Sequence, residues 1–406
     1  MGTTGDLVVE RKQGLYCPPG DFYIDPWQPV ERAVITHAHA DHSRRGHAHY
    51  LAASPAAGVL RTRLGDDIDL QTLPYGEQVD HFGVRVSFHP AGHVLGSAQV
   101  RLEHGGQVWV ASGDYYVAGS SADCREDNAT CDAFEPVPCH CFITESTFGL
   151  PIYRWAPQAE LFASIDEWWR GNAANGRASL LLGYSFGKAQ RLLKGVERSI
   201  GPIFVHGAVE PLNRAYRAAG VDLPETRLVS EVSDKSLFRG ALIVAPPSAQ
   251  NSTWTRRFGD VSDGFASGWM QLRGARRRRS VDRGFVLSDH ADWPGLQRAI
   301  AATGAERVIV THGYEAVMVR WLSDQGLEAS SFQTEYGGDD DELPASTAEA
   351  KAAAEAAAEH VATTVSDEAA AEVEVEVEVE VDAVEDASAT QFDSIDDAED
   401  ADAAAP

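Results

Sequence analysis

No stretch of the sequence is apolar over the length that a membrane-spanning helix needs, and no charged leader precedes an apolar segment near residue 1. We therefore expect neither a membrane anchor nor a secretory signal. Cysteine is scarce as well: the five cysteines, at positions 17, 124, 131, 139 and 141, are odd in number and irregularly spaced. This pattern argues against a disulfide framework and predicts a reducing, cytoplasmic location.

The cysteines around His140 are the only ones whose spacing suggests a metal site. Cys139 and Cys141 are separated by a single residue. Neighbouring residues of a strand point to opposite faces, so the Cys-His-Cys fragment cannot easily direct its side chains to one ion. We therefore expect no structural zinc there.

Basic residues are almost missing from the carboxyl-terminal end. Residues 339–406 hold 23 of the 61 acidic residues of the chain but only one of its 34 basic residues, so they carry most of the net charge of −27. The segment has a single aromatic residue, Phe392, and too few apolar side chains for a core. We predict a disordered, solubilising tail with a short helix over 346–361. A docking segment for a basic partner is the alternative.

What the remaining chain does contain is an alternation of short apolar runs and helical segments. The stretch DWPGLQRAIAATG predicts a helix with Asp292 as its N-cap, Pro294 in its first turn and Gly304 as its stop signal, and three further stretches are typical of helices. Several apolar runs end beside a residue that can bind metal or carry protons, namely His37, His93, Asp114, Glu145, His290 and His312. The alternation predicts an α/β protein with polar groups at the strand ends.

The strongest local signal is the stretch THAHADHSRRGHAHY. His37, His39, Asp41 and His42 follow the apolar run AVIT, and in a loop after a strand this spacing can direct two ligands to one ion and two to its neighbour. Imidazole and carboxylate ligands suit zinc, manganese or iron. A histidine-rich surface loop is the alternative. The last two histidines, 47 and 49, lie beyond this motif, and we expect them on a following helix as structural or surface residues.

Two later residues are weak signals alone and stronger together with this motif. His93 lies in AGHVLGSAQ, where a loop histidine is the ordinary interpretation. Asp114 lies in SGDY after a predicted strand, where a helix or turn cap is the ordinary interpretation. Beside four metal-binding residues, Asp114 is instead a candidate for a carboxylate that bridges two cations.

These motifs resemble known families. HxHxDH, GHxxGS and SGD resemble the metallo-β-lactamase superfamily. Glu145 in TESTFGLP, His290 in LSDHADW and His312 in VTHGY resemble the further motifs of the β-CASP nucleases. GLYCPPGDFYIDPW, ESTFGLPIYRW and RGARRRRSVDRGFVLSDHADWPGL resemble the bacterial and archaeal DNA-ligase-associated exonucleases, which are often labelled mRNA 3′-end processing factors by similarity. The resemblance covers about 8–338.

The resemblance implies two divalent metal ions, zinc or manganese, and a ligand set for each. The implied ligands of the first ion are His37, His39, His93 and Asp114. Those of the second are Asp41, His42, His312 and the shared Asp114. Asp25 in FYIDPW would orient a ligand, and Asp41 also counts among the catalytic residues.

The implied reaction is phosphodiester hydrolysis by a metal-bound hydroxide, with His290 as general acid and Glu145 orienting it. For substrate binding we single out Lys188 in YSFGKAQ, where a helix N-terminus and an amine would meet a phosphate, and a basic run. That run is Arg276, Arg277, Arg278 and Arg279. A solvated charged face is the alternative for the run. Three nearby aromatic residues, Trp254, Phe258 and Trp269, would stack on bases or pack in a core.

The implied fold is a four-layer αβ/βα sandwich of the metallo-β-lactamase type. Its first part would be 1–178 and its second part 284–338, with 179–283 as an inserted β-CASP domain and 339–406 as the acidic tail. A narrow cleft between the two domains would admit a single strand more readily than a duplex. The loop after Asp114, over 115–137, is long and acidic for such a protein and lies where it would affect substrate entry.

We expect a DNA exonuclease acting in repair, with single-stranded nucleic acid as substrate, a DNA ligase and other repair proteins as partners, and no membrane contact. An RNA-processing nuclease with the same site is the first alternative, because the 2′-hydroxyl contacts that separate RNA from DNA cannot be read from the sequence. A thioester or lactam hydrolase and a scaffold subunit without activity are further alternatives.

Overall fold

The computed structural model describes residues 5–118, 130–272 and 279–336. Several sequence predictions lie outside these residues: the acidic tail with its helix over 346–361, Cys124, the middle of the loop after Asp114, and Arg276, Arg277 and Arg278. Within the described ranges the chain forms three β-sheets and six α-helices. The predicted α/β class is confirmed.

The first sheet is built from the amino-terminal strands in chain order. They are β1 (Val9–Arg11), β2 (Gly14–Cys17), β3 (Phe22–Ile24), β4 (Arg32–Ile35), β5 (His49–Ala53) and β6 (Leu70–Leu73). The first three strands pair antiparallel and the rest parallel. His49 opens β5 instead of lying on a helix, so that prediction is wrong. The run Tyr-Leu-Ala-Ala that follows pairs with a neighbouring strand on both sides.

The second sheet has seven strands in the order β19-β18-β11-β10-β9-β8-β7. They are β7 (Gln78–His81), β8 (Val84–Pro90), β9 (Ala98–His104), β10 (Gln107–Ala111), β11 (Cys141–Ser146), β18 (Arg307–Gly313) and β19 (Glu328–Ser331). β7 to β10 pair antiparallel, whereas β10, β11, β18 and β19 run parallel. The carboxyl ends of β10, β11 and β18 therefore meet at one edge.

The third sheet is formed by the strands that come after β11 and before β18 in the sequence, and all of its strands run parallel. Its order is β14-β13-β15-β12-β16-β17. The strands are β12 (Ala178–Leu182), β13 (Ile203–Val205), β14 (Arg227–Leu228), β15 (Leu242–Ala245), β16 (Val261–Ala266) and β17 (Arg283–Phe285). Every residue of β12, β13 and β15 is buried, as expected for a parallel sheet that is covered on both faces.

Six α-helices connect or cover these sheets. They are α1 (Ala57–Leu64), α2 (Gln158–Ala174), α3 (Lys188–Gly195), α4 (Glu210–Ala218), α5 (Trp293–Thr303) and α6 (Glu315–Asp324). The predicted boundaries of α5 are confirmed: the Asp292 carboxylate accepts a hydrogen bond from the backbone N–H of Gly295, and Gly304 ends the helix with a φ of 62°. Among the described residues, no helix is long and apolar enough to cross a membrane.

The first and second sheets pack face to face. Leu15 and Ile24 of the first sheet share a buried cluster with Val86, Phe88 and Val100 of the second. Helix α1 and part of the third sheet cover the outer face of the first sheet, and α5 and α6 cover the outer face of the second. The site residues at the strand ends are thus held by two packed sheets and by the third sheet beside them.

The cysteines within the described residues are free thiols. Cys141 packs in the cluster between the two sheets, whereas Cys139 packs against the cluster under α5 and α6. The two thiols therefore lie on opposite sides of the second sheet; Cys139 precedes β11, so the two-residue repeat of strand side chains does not apply to it.

Candidate metal centre

The predicted ligands gather where strands of two sheets end. The residues from His37 to His42 follow β4 of the first sheet, His93 follows β8, and Asp114 follows β10. His312 lies in β18 near its end. Because β10 and β18 flank β11, Asp114 and His312 emerge at the same edge.

The first group comprises His37, His39, His93 and Asp114, which all offer a ligand atom within 4.8 Å of the others. Nε2 of His93 lies 3.0 Å from Nδ1 of His39, and Nε2 of His37 lies 3.4 Å from Oδ2 of Asp114. Four ligands at zinc-bond length around one tetrahedral ion are separated by about 3.3 Å. All four side chains are buried. The spacing therefore matches a single ion enclosed by protein.

The second group comprises His42, Asp114 and His312. Nε2 of His42 lies 3.4 Å from Oδ2 of Asp114, and Nε2 of His312 lies 3.2 Å from Oδ1. Oδ2 of Asp41 lies 3.7 Å from Nε2 of His42. Asp41 is half-buried and thus borders this group on its more open side.

Asp114 belongs to both groups: its Oδ2 lies near His37 and His42, and its Oδ1 lies near His312. The preceding Gly113 has a φ of 56°, and a Cβ there would lie 2.6 Å from the side chain of Thr36. Only glycine tolerates this backbone and this contact together. Gly113 therefore allows β10 to deliver Asp114 against the loop that carries His37 and His42.

Hydrogen bonds on the far side of each ring decide which nitrogen faces the centre. Nδ1 of His37, His42, His93 and His312 is engaged by Thr36 Oγ1, Asp25 Oδ2, the Asp289 carbonyl oxygen and Thr311 Oγ1, at 3.0, 2.8, 2.7 and 2.9 Å. For His39 the roles are reversed, since its Nε2 lies 3.4 Å from the carbonyl oxygen of Phe186. Each ring thus presents its other nitrogen to the centre, as metal-bound histidines do.

The charge of the surrounding carboxylates favours a cation at this place despite its burial. Burial alone would lower the pKa of His42, but the carboxylates of Asp114, Asp41 and Asp25 outweigh it and raise the pKa to about 10. Burial would raise the pKa of Asp114, yet the positive charge of His42 and His290 holds it well below its usual range. The carboxylates therefore create a potential that favours positive charge beside His42.

The rings of His93 and His37 are held neutral. Burial lowers the pKa of His93 to about 3, with the charge of His290 adding to the effect. Burial, together with the charge of His42, also takes the pKa of His37 well below its usual value. Metals bind the neutral imidazole, so these two rings are in the protonation state that a metal ligand needs.

Several buried polar atoms of the centre lack a hydrogen-bond partner and are placed to bind metal ions. Nε2 of His37, Nε2 of His42 and Oδ1 of Asp114 are buried and have no hydrogen-bond partner. Leaving buried polar atoms unpaired costs about 1–3 kcal/mol each. A cation among them would satisfy all three, and the donor set of imidazoles and carboxylates suits zinc or manganese.

His290 lies beside this centre and is held by Glu145. Nδ1 of His290 lies 2.9 Å from Oε2 of Glu145, and the rings of His290 and His93 have centroids 4.6 Å apart. Glu145 is fixed in turn by the backbone N–H of Tyr115 at 2.9 Å. Burial alone would lower the pKa of His290, but the charges of Glu145 and Asp114 raise it well above its usual value. His290 therefore carries a proton beside the metal groups.

Tyr336 is a site residue that the sequence analysis does not identify. Its ring stacks on the ring of His42, with centroids 4.4 Å apart and planes 17° apart, and it meets the ring of His312 edge-on. Its hydroxyl donates to the carbonyl oxygen of Asp25 at 3.2 Å. No motif surrounds Tyr336, and an aromatic residue before an acidic stretch gives no signal of such a role.

Of the predicted substrate-binding residues, the structure describes Lys188 and Arg279. Lys188 is buried, and its Nζ lies 3.4 Å from Oδ1 of Asp289. Arg279 is half-buried, with its guanidinium 4.3 Å from the ring centre of Phe265. Two of the three aromatic residues named for stacking, Phe258 and Trp269, lie in a hydrophobic core cluster, and the third, Trp254, packs against it.

Comparisons with known proteins agree with the motifs. No protein-family model matches the chain. A probable DNA ligase of Opitutus terrae is 33% identical over 326 residues, which are 79% of this chain and 30% of that protein. Endoribonuclease YSH1 of Candida albicans is 32% identical over 126 residues, 30% of this chain and 13% of that protein. The chain thus spans less than a third of the length of the curated relatives it matches.

Two further proteins are also similar to the chain. Endoribonuclease ysh-1 of Neurospora crassa is 30% identical over 152 residues, 35% of this chain and 16% of that protein. A crystal structure of a protein of unknown function from Enterococcus faecalis V583 aligns with a TM-score of 0.49 and 12% identity, over 75% of this chain and 79% of that one.

Relatives of both predicted kinds are therefore found, one named as a DNA ligase and others as endoribonucleases. The resemblance inferred from the motifs is confirmed. By its motifs and its relatives, the chain resembles the β-CASP nucleases of the metallo-β-lactamase superfamily.

Proposed function

We propose that the protein is a binuclear metal-dependent nuclease that hydrolyses phosphodiester bonds in single-stranded nucleic acid, with DNA as the first choice of substrate. The observation that carries this proposal is the position of Asp114. Its Oδ2 lies 3.4 Å from a nitrogen of His37 and 3.4 Å from one of His42, and its Oδ1 lies 3.2 Å from one of His312. A carboxylate shared in this way suits two neighbouring cations.

The first ion would be held by His37, His39, His93 and Asp114, and the second by Asp41, His42, His312 and Asp114. When bound, two zinc or manganese ions supply Lewis-acid stabilisation of the phosphate charge and an activated water at neutral pH. The enclosure of the first group by buried side chains supports a tightly held ion there. The more open second group leaves room for substrate oxygen atoms.

The proton needed by the leaving oxygen would come from His290. Glu145 holds Nδ1 of that ring and leaves Nε2 for proton transfer. Because its pKa is raised well above the usual value, His290 is protonated at neutral pH and acts as an acid. Tyr115 N–H and Thr147 fix Glu145 from the other side and keep the pair aligned.

We also propose the domain division that accompanies this function. Residues 1–178 and 284–338 would form an αβ/βα sandwich of the metallo-β-lactamase type, and 179–283 would form the inserted β-CASP domain. The third sheet, over β12 to β17, supports this division because its strands pair only with one another among the described residues. Nucleic acid would lie between the two domains, with Arg276, Arg277, Arg278 and Arg279 as candidate phosphate contacts.

RNA is the second candidate substrate, because three of the matched relatives are named endoribonucleases. The relative named as a DNA ligase matches far more of this chain, and it is the reason for preferring DNA, a role in repair and a DNA ligase as partner. A cytoplasmic location is part of the proposal and is supported by the free thiols of the described residues.

The proposal is tested with end-labelled DNA and RNA strands of one sequence, incubated with the full chain after loading with zinc or manganese. We expect single-stranded DNA to be degraded, and the variant Asp114→Ala to be inactive and depleted of metal. Cleavage of RNA with intact DNA would overturn the first choice of substrate. Faster loss of blunt duplex than of single strands would overturn the strand preference.

Two controls address the other classes of function. Hydrolysis of a thioester or lactam without cleavage of either nucleic acid would indicate a small-molecule hydrolase. A metal content below about one ion per chain, with no hydrolysis at all, would indicate a scaffold subunit.

A further inference from the structure

Helix α3, which follows strand β12 of the third sheet, lies directly against the metal centre. It follows Gly187, whose φ is 82°. A Cβ atom at Gly187 would lie 2.4 Å from Cγ1 of Val94 and 3.4 Å from Oδ2 of Asp289. Glycine alone combines this backbone with so close an approach. The first turn of α3 is therefore packed against the loops that carry His93 and His290.

Lys188 at the start of α3 is an internal residue. Its side chain is 2% exposed, and its Nζ lies 3.4 Å from Oδ1 of Asp289, whose side chain is 4% exposed. Nζ also lies 4.5 Å from the ring centre of Tyr184. A buried ammonium group is tolerated only with a counter-charge. Lys188 therefore serves a fixed contact inside the protein and does not present its charge to a polyanion at the surface.

Arg191 lies on the same face of α3, three residues further on. Its Nη1 donates a hydrogen bond to the carbonyl oxygen of Ser288 at 2.7 Å. Its guanidinium lies 4.3 Å from the ring centre of Tyr116, and the side chain is buried. Two cationic side chains of one helix thus hold two consecutive residues, Ser288 and Asp289.

Asp289 and Ser288 each form a hydrogen bond with a residue of the site, His93 and His290 respectively. The carbonyl oxygen of Asp289 accepts a hydrogen bond from Nδ1 of His93 at 2.7 Å, which leaves Nε2 of that ring facing the first metal group. Oγ of Ser288 accepts a hydrogen bond from the backbone N–H of His290 at 3.0 Å. A shift of Ser288 and Asp289 would therefore move a metal ligand and the general acid together.

We infer that Lys188 and Arg191 are positioning residues: from helix α3 they hold Ser288 and Asp289, and through them they set the orientation of His93 and His290. For Lys188 this role replaces the phosphate contact predicted from the sequence. The part of the inference that concerns His290 rests on the proposed nuclease function. The part that concerns His93 does not, because metal affinity can be measured without any substrate.

The two roles of Lys188 predict different kinetics for Lys188→Met, which removes the charge and keeps the length. Loss of positioning lowers kcat by about tenfold or more and weakens metal binding by about tenfold or more, with KM unchanged. Loss of a phosphate contact raises KM and leaves kcat and metal affinity unchanged. It also reduces the slope of log binding constant against log salt concentration by about one unit. The second pattern would overturn the inference.

Lys194→Met is the matched control. Lys194 lies on the same helix, and its Nζ lies 3.6 Å from Oδ2 of Asp222, but that pair is partly exposed. The same substitution there removes an ion pair of the same helix without touching the centre. We expect metal affinity and kcat like those of the unaltered protein, and a loss similar to that of Lys188→Met would overturn the inference.

A second variant keeps the test valid where Lys188→Met fails to fold because it leaves Asp289 buried without its counter-charge. Lys188→Met combined with Asp289→Asn removes both charges, and we expect its thermal stability to recover while zinc affinity, measured by competition with a chromophoric chelator, stays reduced. Full recovery of zinc affinity would overturn the inference. If the unaltered protein cleaves no nucleic acid but Lys188→Met still weakens zinc binding, the proposed function fails and the positioning of His93 stands.

Discussion

Asp25→Asn tests the outer hydrogen bonds of the metal centre with the smallest possible change. Oδ1 of Asp25 accepts from the backbone N–H of Thr36 at 2.7 Å, and Oδ2 accepts from the Thr36 hydroxyl at 2.5 Å and from Nδ1 of His42 at 2.8 Å. The Thr36 hydroxyl oxygen in turn lies 3.0 Å from Nδ1 of His37. One carboxylate thus orients one ligand ring of each metal group.

Asparagine cannot reproduce these bonds in either orientation of its amide. With its oxygen toward the Thr36 N–H, its NH₂ group faces Nδ1–H of His42, and two donors meet. With the amide reversed, its NH₂ group faces the backbone N–H of Thr36 instead. Loss of such a partner typically weakens metal binding by 10- to 100-fold, or about 1.4–2.7 kcal/mol. Because Asp25 serves both groups, we expect zinc affinity to fall by about this factor at each.

Asp21→Asn is the control. Asp21 has a φ of 49° and Asp25 a φ of 42°, and asparagine adopts this region as readily as aspartate. The side chain of Asp21 is 61% exposed and pairs with Arg32. Titration of metal-free protein against a chromophoric chelator should give reduced zinc affinity for Asp25→Asn and normal affinity for Asp21→Asn. A zinc affinity of Asp25→Asn within twofold of the unaltered protein would refute this reasoning.

Three further outcomes are expected. His290→Ala should keep both metals but slow turnover on labelled DNA by about a hundredfold or more, and metal loss would show that His290 is itself a ligand. Neighbouring carboxylates raise the pKa of His42 to about 10, so below that pH a metal ion must displace a proton from this ring. Zinc affinity should therefore rise by about tenfold per pH unit from pH 6 to 9. A zinc affinity that does not change with pH in the same competition assay would count against this. A chain ending at Gly338 should keep its zinc affinity and melting temperature, since Tyr336 is retained, and a large loss would assign the acidic segment a structural role.

Much of the centre was predictable because ligands at strand ends leave a sequence pattern. His37, His39, Asp41 and His42 have a spacing that few other structures require, and the strand signal before each later ligand indicates where it emerges. The helix signals at Asp292 and Gly304 were equally local and gave correct boundaries. Such features depend on nearest neighbours in the chain, and for that reason the sequence alone carries them.

The outer contacts were not predictable, for two physical reasons. Backbone carbonyl oxygens hold His39 and His93, and every residue has one, so no side-chain pattern marks them. Whether the side chain of Lys188 points to solvent or to a buried partner depends on how α3 packs. The sequence of a strand-to-helix turn is equally compatible with both. The packing of the third sheet against the loop at Asp289 decided it, through contacts about a hundred residues apart in sequence.

The place of β18 in the second sheet has a consequence for the protein during its own synthesis. β18 brings His312 and lies between β11 and β19, so it joins the sheet only after more than three hundred residues have been made. At roughly 5–20 residues per second, about 15–55 s separate His37 from His312 on the ribosome. Over that interval the nascent chain lacks a ligand of the second group. Under the proposed function, a partly made chain therefore lacks a complete metal centre until its second sheet is complete.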